Sequence, residues 1–421
     1  MKFTSPFLTL LLSFVFVSAV CIADDSNRSN SKEPLPNTLA KIRKWLATEP
    51  DQRTVFLDQG FAKEELSKQE AKKVAQLLWD DYEKIERANR KQEWQDKKLK
   101  IDDLEMRFEY RIFGEKPVGG RSLFISMHGG GNTARRVNDG QWRNQIRLYE
   151  PNEGVYLAPR APTDTWNLWH QSHIDQFFKR IIQNAILFED VNPDRVYFMG
   201  YSAGGDGVFQ LAPRMADYLA AASMMAGHPN NASPLGLRNI GFAIHMGEKD
   251  GAYDRNEKAK EWKAALANLK KEDPGGYEHE VVIHKGMGHW MQRKDAVAVP
   301  WMAKFKREPF PDTIVWHQSG VTHEDFYWLA AAKESQVGGS TIRAKRNGND
   351  FELSTSEQIE EIVIQLNDSM VDLDKPISVK MSDKSSSHTA IRTAANIYKS
   401  IQRRGDPQLI FSATIEVETK K

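Results

Sequence analysis

Gly200-Tyr201-Ser202-Ala203-Gly204 places a serine among small residues, directly after the strand-like run Val196-Tyr197-Phe198-Met199 and just before a helical pattern. A serine that attacks a carbonyl must project from a sharp strand-to-helix turn, and small neighbours relieve the crowding of such a backbone. Ser202 is therefore the expected nucleophile. The helix behind it turns its N-terminal amides toward developing negative charge. A hydroxyl is a weak nucleophile unaided, so a base and an orienting acid must come from elsewhere in the chain. His289, in Gly286-Met287-Gly288-His289-Trp290, follows the strand pattern Val281 to His284, and Asp250, in Met246-Gly247-Glu248-Lys249-Asp250, follows Phe242 to Met246. Asp254 and Glu248 are rival acids; Asp250 is preferred because it lies in the first turn after its strand.

Acyl transfer builds charge on a carbonyl oxygen, which backbone N–H groups can meet only where no side chain blocks the approach. His128-Gly129-Gly130-Gly131-Asn132 follows the apolar run Leu123 to Met127 about seventy residues before Ser202. The expected oxyanion donors are the amide of Ala203 with that of Gly130 or Gly131, and His128 reads as a local hydrogen-bonding residue. Trp142, Trp166, Trp169 and Trp290 lie in loops expected near the C-terminal edge of a sheet, where clefts of open α/β sheets form. They are the candidates for substrate binding, with packing beneath the loops as the plainer reading.

These groups need a scaffold. Strand patterns at 104–112, 123–127, 154–158, 196–199, 242–246 and 281–284 alternate with helical patterns at 176–189, 207–222 and 257–271. Such alternation predicts an α/β core of about 100–308, a mostly parallel sheet with helices on both faces. Before it, residues 38–99 show helical spacing in Val74, Leu77, Leu78, Tyr82 and Ile85, and form an expected helical extension. After Pro309 and Pro311, residues 309–421 predict a small β-rich domain with strands near 313–318, 326–332, 341–345, 350–354, 362–366 and 409–417. It also carries one helix at 389–403 and a hairpin turn at Asn347-Gly348. Its aromatics Trp316, Phe326, Tyr327 and Trp328 fit either core packing or contact with a polysaccharide or envelope component.

With these motifs assembled, residues from about 100 to 305 resemble the α/β-hydrolase superfamily. The likeness is to its esterase and polyhydroxybutyrate-depolymerase-like branch, which is close to the prolyl-oligopeptidase catalytic domain. The resemblance is carried by His128 to Asn132, by Asn192-Pro193-Asp194-Arg195-Val196 leading into Gly200 to Gly205, by Gly247 to Asp250, and by Gly288-His289. It implies a Ser-His-Asp mechanism through an acyl-enzyme, without a cofactor. The expected substrate is a small-molecule or polymer-linked carboxylic ester. A serine peptidase of the prolyl-oligopeptidase kind is the nearest alternative, although the large propeller of that family has no counterpart. A non-catalytic binding protein on the same fold is the other.

Composition narrows the field. A net charge of +1 argues against electrostatic binding of nucleic acid. No phosphate-binding loop, dinucleotide fingerprint or His-Glu-x-x-His helix occurs, so neither nucleotide nor metal chemistry is expected. Lys2 and the apolar run Phe7 to Val20, ending in small residues near Ala23, read as a signal peptide over 1–23, followed by a flexible leader over 24–37. At about 14 residues the run is short of the roughly 20 that span a bilayer, so no membrane span is expected after cleavage. The destination is periplasmic or extracellular. Cys21, the one cysteine, lies in this segment, and cleavage would leave no thiol for disulfides, zinc or catalysis.

Overall fold

A computed structural model describes residues 37–356 and 359–419; the expected signal peptide and all but the last residue of the expected leader lie outside them. The described residues begin with two helices, α1 (Asn37–Leu46) and α2 (Lys68–Gln95). Ser67 caps α2 by accepting from the Glu70 amide, while the Glu70 carboxylate accepts from the Ser67 amide. The long helix lies along the core, its Arg90 donating to Gln183 at 2.9 Å and its Glu93 pairing with Arg180 at 2.7 Å.

The core sheet contains β1 (Lys98–Ile101), β2 (Leu104–Phe113), β3 (Arg121–Met127) and β4 (Gly154–Arg160). It continues with β5 (Val191–Tyr201), β6 (Ala221–Met225), β7 (Gly241–Gly247) and β8 (His279–His284). Their order is β1-β2-β4-β3-β5-β6-β7-β8; β2 runs antiparallel to both its neighbours, and every pair from β4 to β8 is parallel. Parallel pairs need crossovers, supplied among others by α3 (Arg135–Gln145), α4 (Ser172–Glu189), α5 (Ala203–Arg214) and α6 (Arg255–Glu272); the short α7 (Ala298–Met302) follows β8.

Two local expectations are corrected. Residues 207–222, read as one helix, divide into the end of α5, a turn, and then β6, whose five residues are all buried. A strand covered on both faces shows no alternation, and its alanines carry no β signature of their own. The polar helix α3 was not anticipated, because its sequence offers only a thin apolar stripe.

The C-terminal region forms two sheets. One contains β9 (Thr313–His317), β12 (Thr341–Asn347), β13 (Asp350–Thr355), β15 (Ile377–Met381) and β16 (Lys384–His388). The other contains β10 (Asp325–Phe326), β11 (Leu329–Ala331), β14 (Glu361–Leu366) and β17 (Ala413–Glu418). The β12–β13 hairpin pairs Asn347 with Asp350, so the turn residues are Gly348 and Asn349, one position later than expected. Trp316 stacks on Phe326 and Trp328 meets Phe351 edge-on, and both tryptophans are about 1% exposed or less. These aromatics, with Tyr327, are core residues and present no face to a polysaccharide.

The terminal regions are not independent appendages. Helix α8 (Ala394–Arg404) packs Ala394, Ile397 and Ile401 against Leu39, Ile42, Val74 and Leu78 of α1 and α2. Arg404 pairs with Asp217 at 2.6 Å and Arg307 bridges Asp194 and Asp406, each with a guanidinium side chain only 1% exposed. Among the described residues no helix is long and apolar enough to cross a membrane. Removing one partner of a fully buried ion pair leaves an uncompensated charge, at a cost of about 3–5 kcal/mol. Asp217→Ala is therefore expected to lower the unfolding free energy by about that amount, as a shift in the urea midpoint at unchanged m-value.

Candidate active site

The hinge of the site is the turn from β5 into α5. Ser202 has φ 58° and ψ −123°, outside the usual regions for a side chain, and its N–H donates to Met225 O at 2.9 Å. The turn closes only because its neighbours are small: a Cβ at Gly200 would lie 2.2 Å from Gly204 O, and one at Gly204 would lie 2.1 Å from Met127 O. Ser202 Oγ stands 3.0 Å from His289 Nε2, and His289 Nδ1 stands 2.7 Å from Asp250 Oδ2. Asp250 is buried at 3% exposure, while the His289 side chain faces the solvent side of the site. Of the rival acids, Glu248 is committed to the Gly286 amide at 2.7 Å, and Asp254 is exposed at the head of α6.

The loops after β7 and β8 are joined to each other. Lys249 N–H donates to Met287 O at 2.8 Å and Glu248 N–H to His284 O at 3.1 Å, and a Cβ on Gly247 would lie 2.0 Å from Gly288 O. Tyr201 completes the link: its hydroxyl donates to His289 O at 2.6 Å and accepts from Met291 N–H at 2.9 Å. Burial pushes this phenol above its ordinary pKa, which keeps the donating proton in place. In the sequence Tyr201 is only the unspecified residue of the Gly-x-Ser-x-Gly pattern, so no local signal marks this role.

Ser202 after the fifth strand, Asp250 after the seventh and His289 after the eighth, on a sheet with the order given above, together decide the architecture. This is the α/β-hydrolase fold. Within it the glycine loop after β3 bends over Ser202, with φ 109° at Gly130 and 84° at Gly131. The Gly131 N–H donates to Asn138 Oδ1 at 2.9 Å, so of the two glycine amides expected as donors this one is already occupied. Ala203 is the first residue of α5, where a helix amide has no acceptor within its own helix. Asn138, fully buried and bonded also to Asp164 at 2.7 Å, props the loop, and no sequence pattern announced it. His128 is structural: its Nδ1 lies 2.6 Å from Gly129 O and its Nε2 accepts from Ala161 N–H, so Nδ1 carries the proton and donates. Burial holds this imidazole neutral, its pKa pushed down to about 4.

The four tryptophans separate. Trp169 is completely buried and donates to His128 O at 2.9 Å, so it supports the loop from beneath and cannot meet a substrate. Trp142 is half-buried on α3, donating to Ala158 O of β4 with the Arg107 guanidinium over its ring. Trp290 and Trp166 are 52% and 61% exposed and border two lobes of a cleft that meet at Ser202. The larger lobe, about 630 Å³, is lined by His289, Tyr201, Trp290, Val137, Leu148 and Gln141 among others. The smaller, about 290 Å³, includes Trp166, Asp206, His228, Asn230, Tyr253 and Arg255.

No family model and no curated protein matches this sequence. Among solved structures it is similar to a thermostable esterase at 17% identity and TM-score 0.39, covering 50% of this chain and 62% of that one. A feruloyl esterase module from Clostridium thermocellum, solved with sinapinate, aligns at 15% identity and TM-score 0.37, over 49% and 86% of the two chains. A poly(3-hydroxybutyrate) depolymerase from Bordetella parapertussis aligns at 15% and 0.38, over 49% and 86%. Likeness at this level transfers no residue role; the strand order of the sheet is what identifies the fold.

A Cβ at Gly130 would fall 2.2 Å from Asn138 Oδ1, at a φ that side chains rarely adopt. Gly130→Ala is expected to cost about 1–3 kcal/mol in thermal or urea unfolding, the range for a residue forced into such a backbone.

Proposed function

We propose that the protein is an exported serine hydrolase acting on carboxylic esters. The observation that carries this reading is the line Ser202 Oγ, His289 Nε2, His289 Nδ1, Asp250 Oδ2, with spacings of 3.0 and 2.7 Å. In it Ser202 attacks the ester carbonyl while His289 removes its proton. The tetrahedral oxyanion rests on the amides of Gly130 and Ala203. Collapse breaks the bond to the alcohol, whose oxygen takes the proton from His289, and leaves an acyl-enzyme. Water, deprotonated by the same histidine, then releases the acid. Asp250 accepts from Nδ1–H throughout, holding the tautomer that presents a lone pair to the serine and stabilising the imidazolium between steps.

No cofactor enters these steps. Ester rather than amide chemistry is favoured by the open cleft, whose two lobes have no propeller or other domain over them among the described residues. Export follows from the Lys2 charge and the apolar run to Val20, and the destination is periplasmic or extracellular. Any contact of the C-terminal sheets with an envelope polymer would have to use residues other than their aromatics, which are buried.

Incubation with a fluorophosphonate probe, followed by peptide mass spectrometry, is expected to modify Ser202. Ser202→Ala should abolish the labelling and lower ester turnover by roughly 10⁴- to 10⁶-fold with an unchanged circular dichroism spectrum. A folded wild-type protein that takes up no label would remove the hydrolase reading in favour of a binding protein.

A further inference from the structure

The two lobes that meet at Ser202 are not chemically equivalent, and the position of His289 decides which part of a substrate each can take. In the ester reading, on which this inference rests, the leaving alcohol oxygen must receive its proton from His289 Nε2. The alcohol therefore lies on the side of the imidazole. His289 lines the larger lobe and not the smaller one. With the carbonyl oxygen directed at the amides of Gly130 and Ala203, the remaining substituent of the carbonyl carbon, the acyl chain, is left with the smaller lobe.

That lobe has an unusual lining for an acyl site. Arg255 is the one Lys or Arg lining either lobe among the described residues, and its side chain is only 12% exposed. Its guanidinium is poorly satisfied for a group with five N–H donors. The contact to Ala252 O is 3.4 Å, and the nearest carboxylate, Asp250, is 3.8 Å away with its other oxygen already committed to His289. Asp206 lines the same lobe, but its Oδ1 accepts the His228 amide at 2.6 Å and burial raises its carboxyl above the ordinary range, which weakens its claim on Arg255. His228 Nδ1 accepts from Asn230 N–H, so the neutral ring carries its proton on Nε2 as a further donor. The rim is held in a shape the backbone does not adopt freely. Asn132, Asn230 and Tyr253 all have φ between 46° and 57°, and the Tyr253 ring, 78% exposed, lies 4.9 Å from the Arg255 guanidinium.

We propose that the smaller lobe binds the acyl part of the substrate and that this acyl part is a short chain ending in a carboxylate, paired with Arg255. A volume of about 290 Å³ holds roughly ten water-sized groups, enough for a four- or five-carbon chain with its terminal carboxylate. The alcohol, in the larger and more apolar lobe, is the bulkier partner. Hydrolysis then releases a free dicarboxylic acid and the alcohol: Ser202 Oγ bonds to the carbonyl carbon, the alkoxy bond breaks, and water supplies the second carboxylate oxygen.

The test compares the p-nitrophenyl monoester of glutaric acid with p-nitrophenyl valerate, which has the same five-carbon acyl chain without the charge. The full-length enzyme is expected to favour the anionic ester by about 10- to 100-fold in kcat/KM, the scale of one charge-assisted contact. Arg255→Gln should bring that ratio to one or below. An influence of Arg255 on Asp250 acts on both esters and leaves the ratio unchanged, so the ratio reads recognition alone. Asn230→Trp, which fills the smaller lobe, should penalise long acyl chains while the preference among alcohols of different size stays as it was. If Ser202 takes the fluorophosphonate label but valerate is the better ester, or Arg255→Gln leaves the ratio intact, the acyl-carboxylate proposal falls and the hydrolase reading stands. If the label is not taken and neither ester turns over, both fall together.

Discussion

At Ser202 the chain leaves β5 and enters α5 through a backbone conformation that costs of the order of 1–3 kcal/mol and persists only because the surroundings allow no other. Gly200, Gly204 and Gly205 each face a neighbouring backbone so closely that a Cβ would fall 2.1 to 2.6 Å from a carbonyl oxygen. The close approach of α5 to the end of β3 and to the residues after β6 is therefore what holds the turn. It lifts Ser202 Oγ above the sheet and at the same time sets the first amide of α5 beside it. The positions of the Ser202 hydroxyl and of the Ala203 amide are consequences of one packing constraint.

The remaining parts are registered against that turn by short polar links rather than by a large core. Asn138 and Asp164 hold the glycine loop, Glu248 and the paired backbones hold the loops of Asp250 and His289 together, and Tyr201, next to Ser202, holds the His289 loop. Such links have little freedom to drift, because each ends on a buried or backbone group. Loops carry the chemistry, and the sheet sets their common origin.

Around this centre the chain ends close on one another. Apolar residues from Leu39 to Tyr82 form one cluster with α8, and buried arginines at 307 and 404 fasten the C-terminal region to the α/β core. A buried pair of charges adds little net stability over an apolar contact but strongly disfavours any arrangement that separates it. The network therefore fixes how the regions sit. The apolar periodicity of α2 was visible in the sequence; its partner, more than three hundred residues away, was not, since nothing local specifies which apolar stripe meets which.

From the sequence alone one could read the elements whose signals are local. The Gly-x-Ser-x-Gly turn, the glycine loop, and an acid and a histidine each just past an apolar strand follow from backbone sterics and from the order of strand ends along the chain. Elements whose identity depends on burial escaped. Ala221–Met225 is a strand because it lies between β5 and β7, whereas its composition suits a helix. Lys384–His388 pairs with Ile377–Met381, which in turn pairs with β13; the former carries no apolar residue and the latter alternates over only five positions, too short a run to read as a strand. For the site, residue type named Ser202, His289 and Asp250, yet only tertiary structure separated Trp169 beneath the loop from Trp166 and Trp290 at the cleft. It also removed the Gly131 amide from consideration and placed Arg255 beside the serine. The physical reason is the same throughout: a turn is dictated by neighbours in sequence, whereas exposure and the partner of a hydrogen bond are settled by neighbours in space.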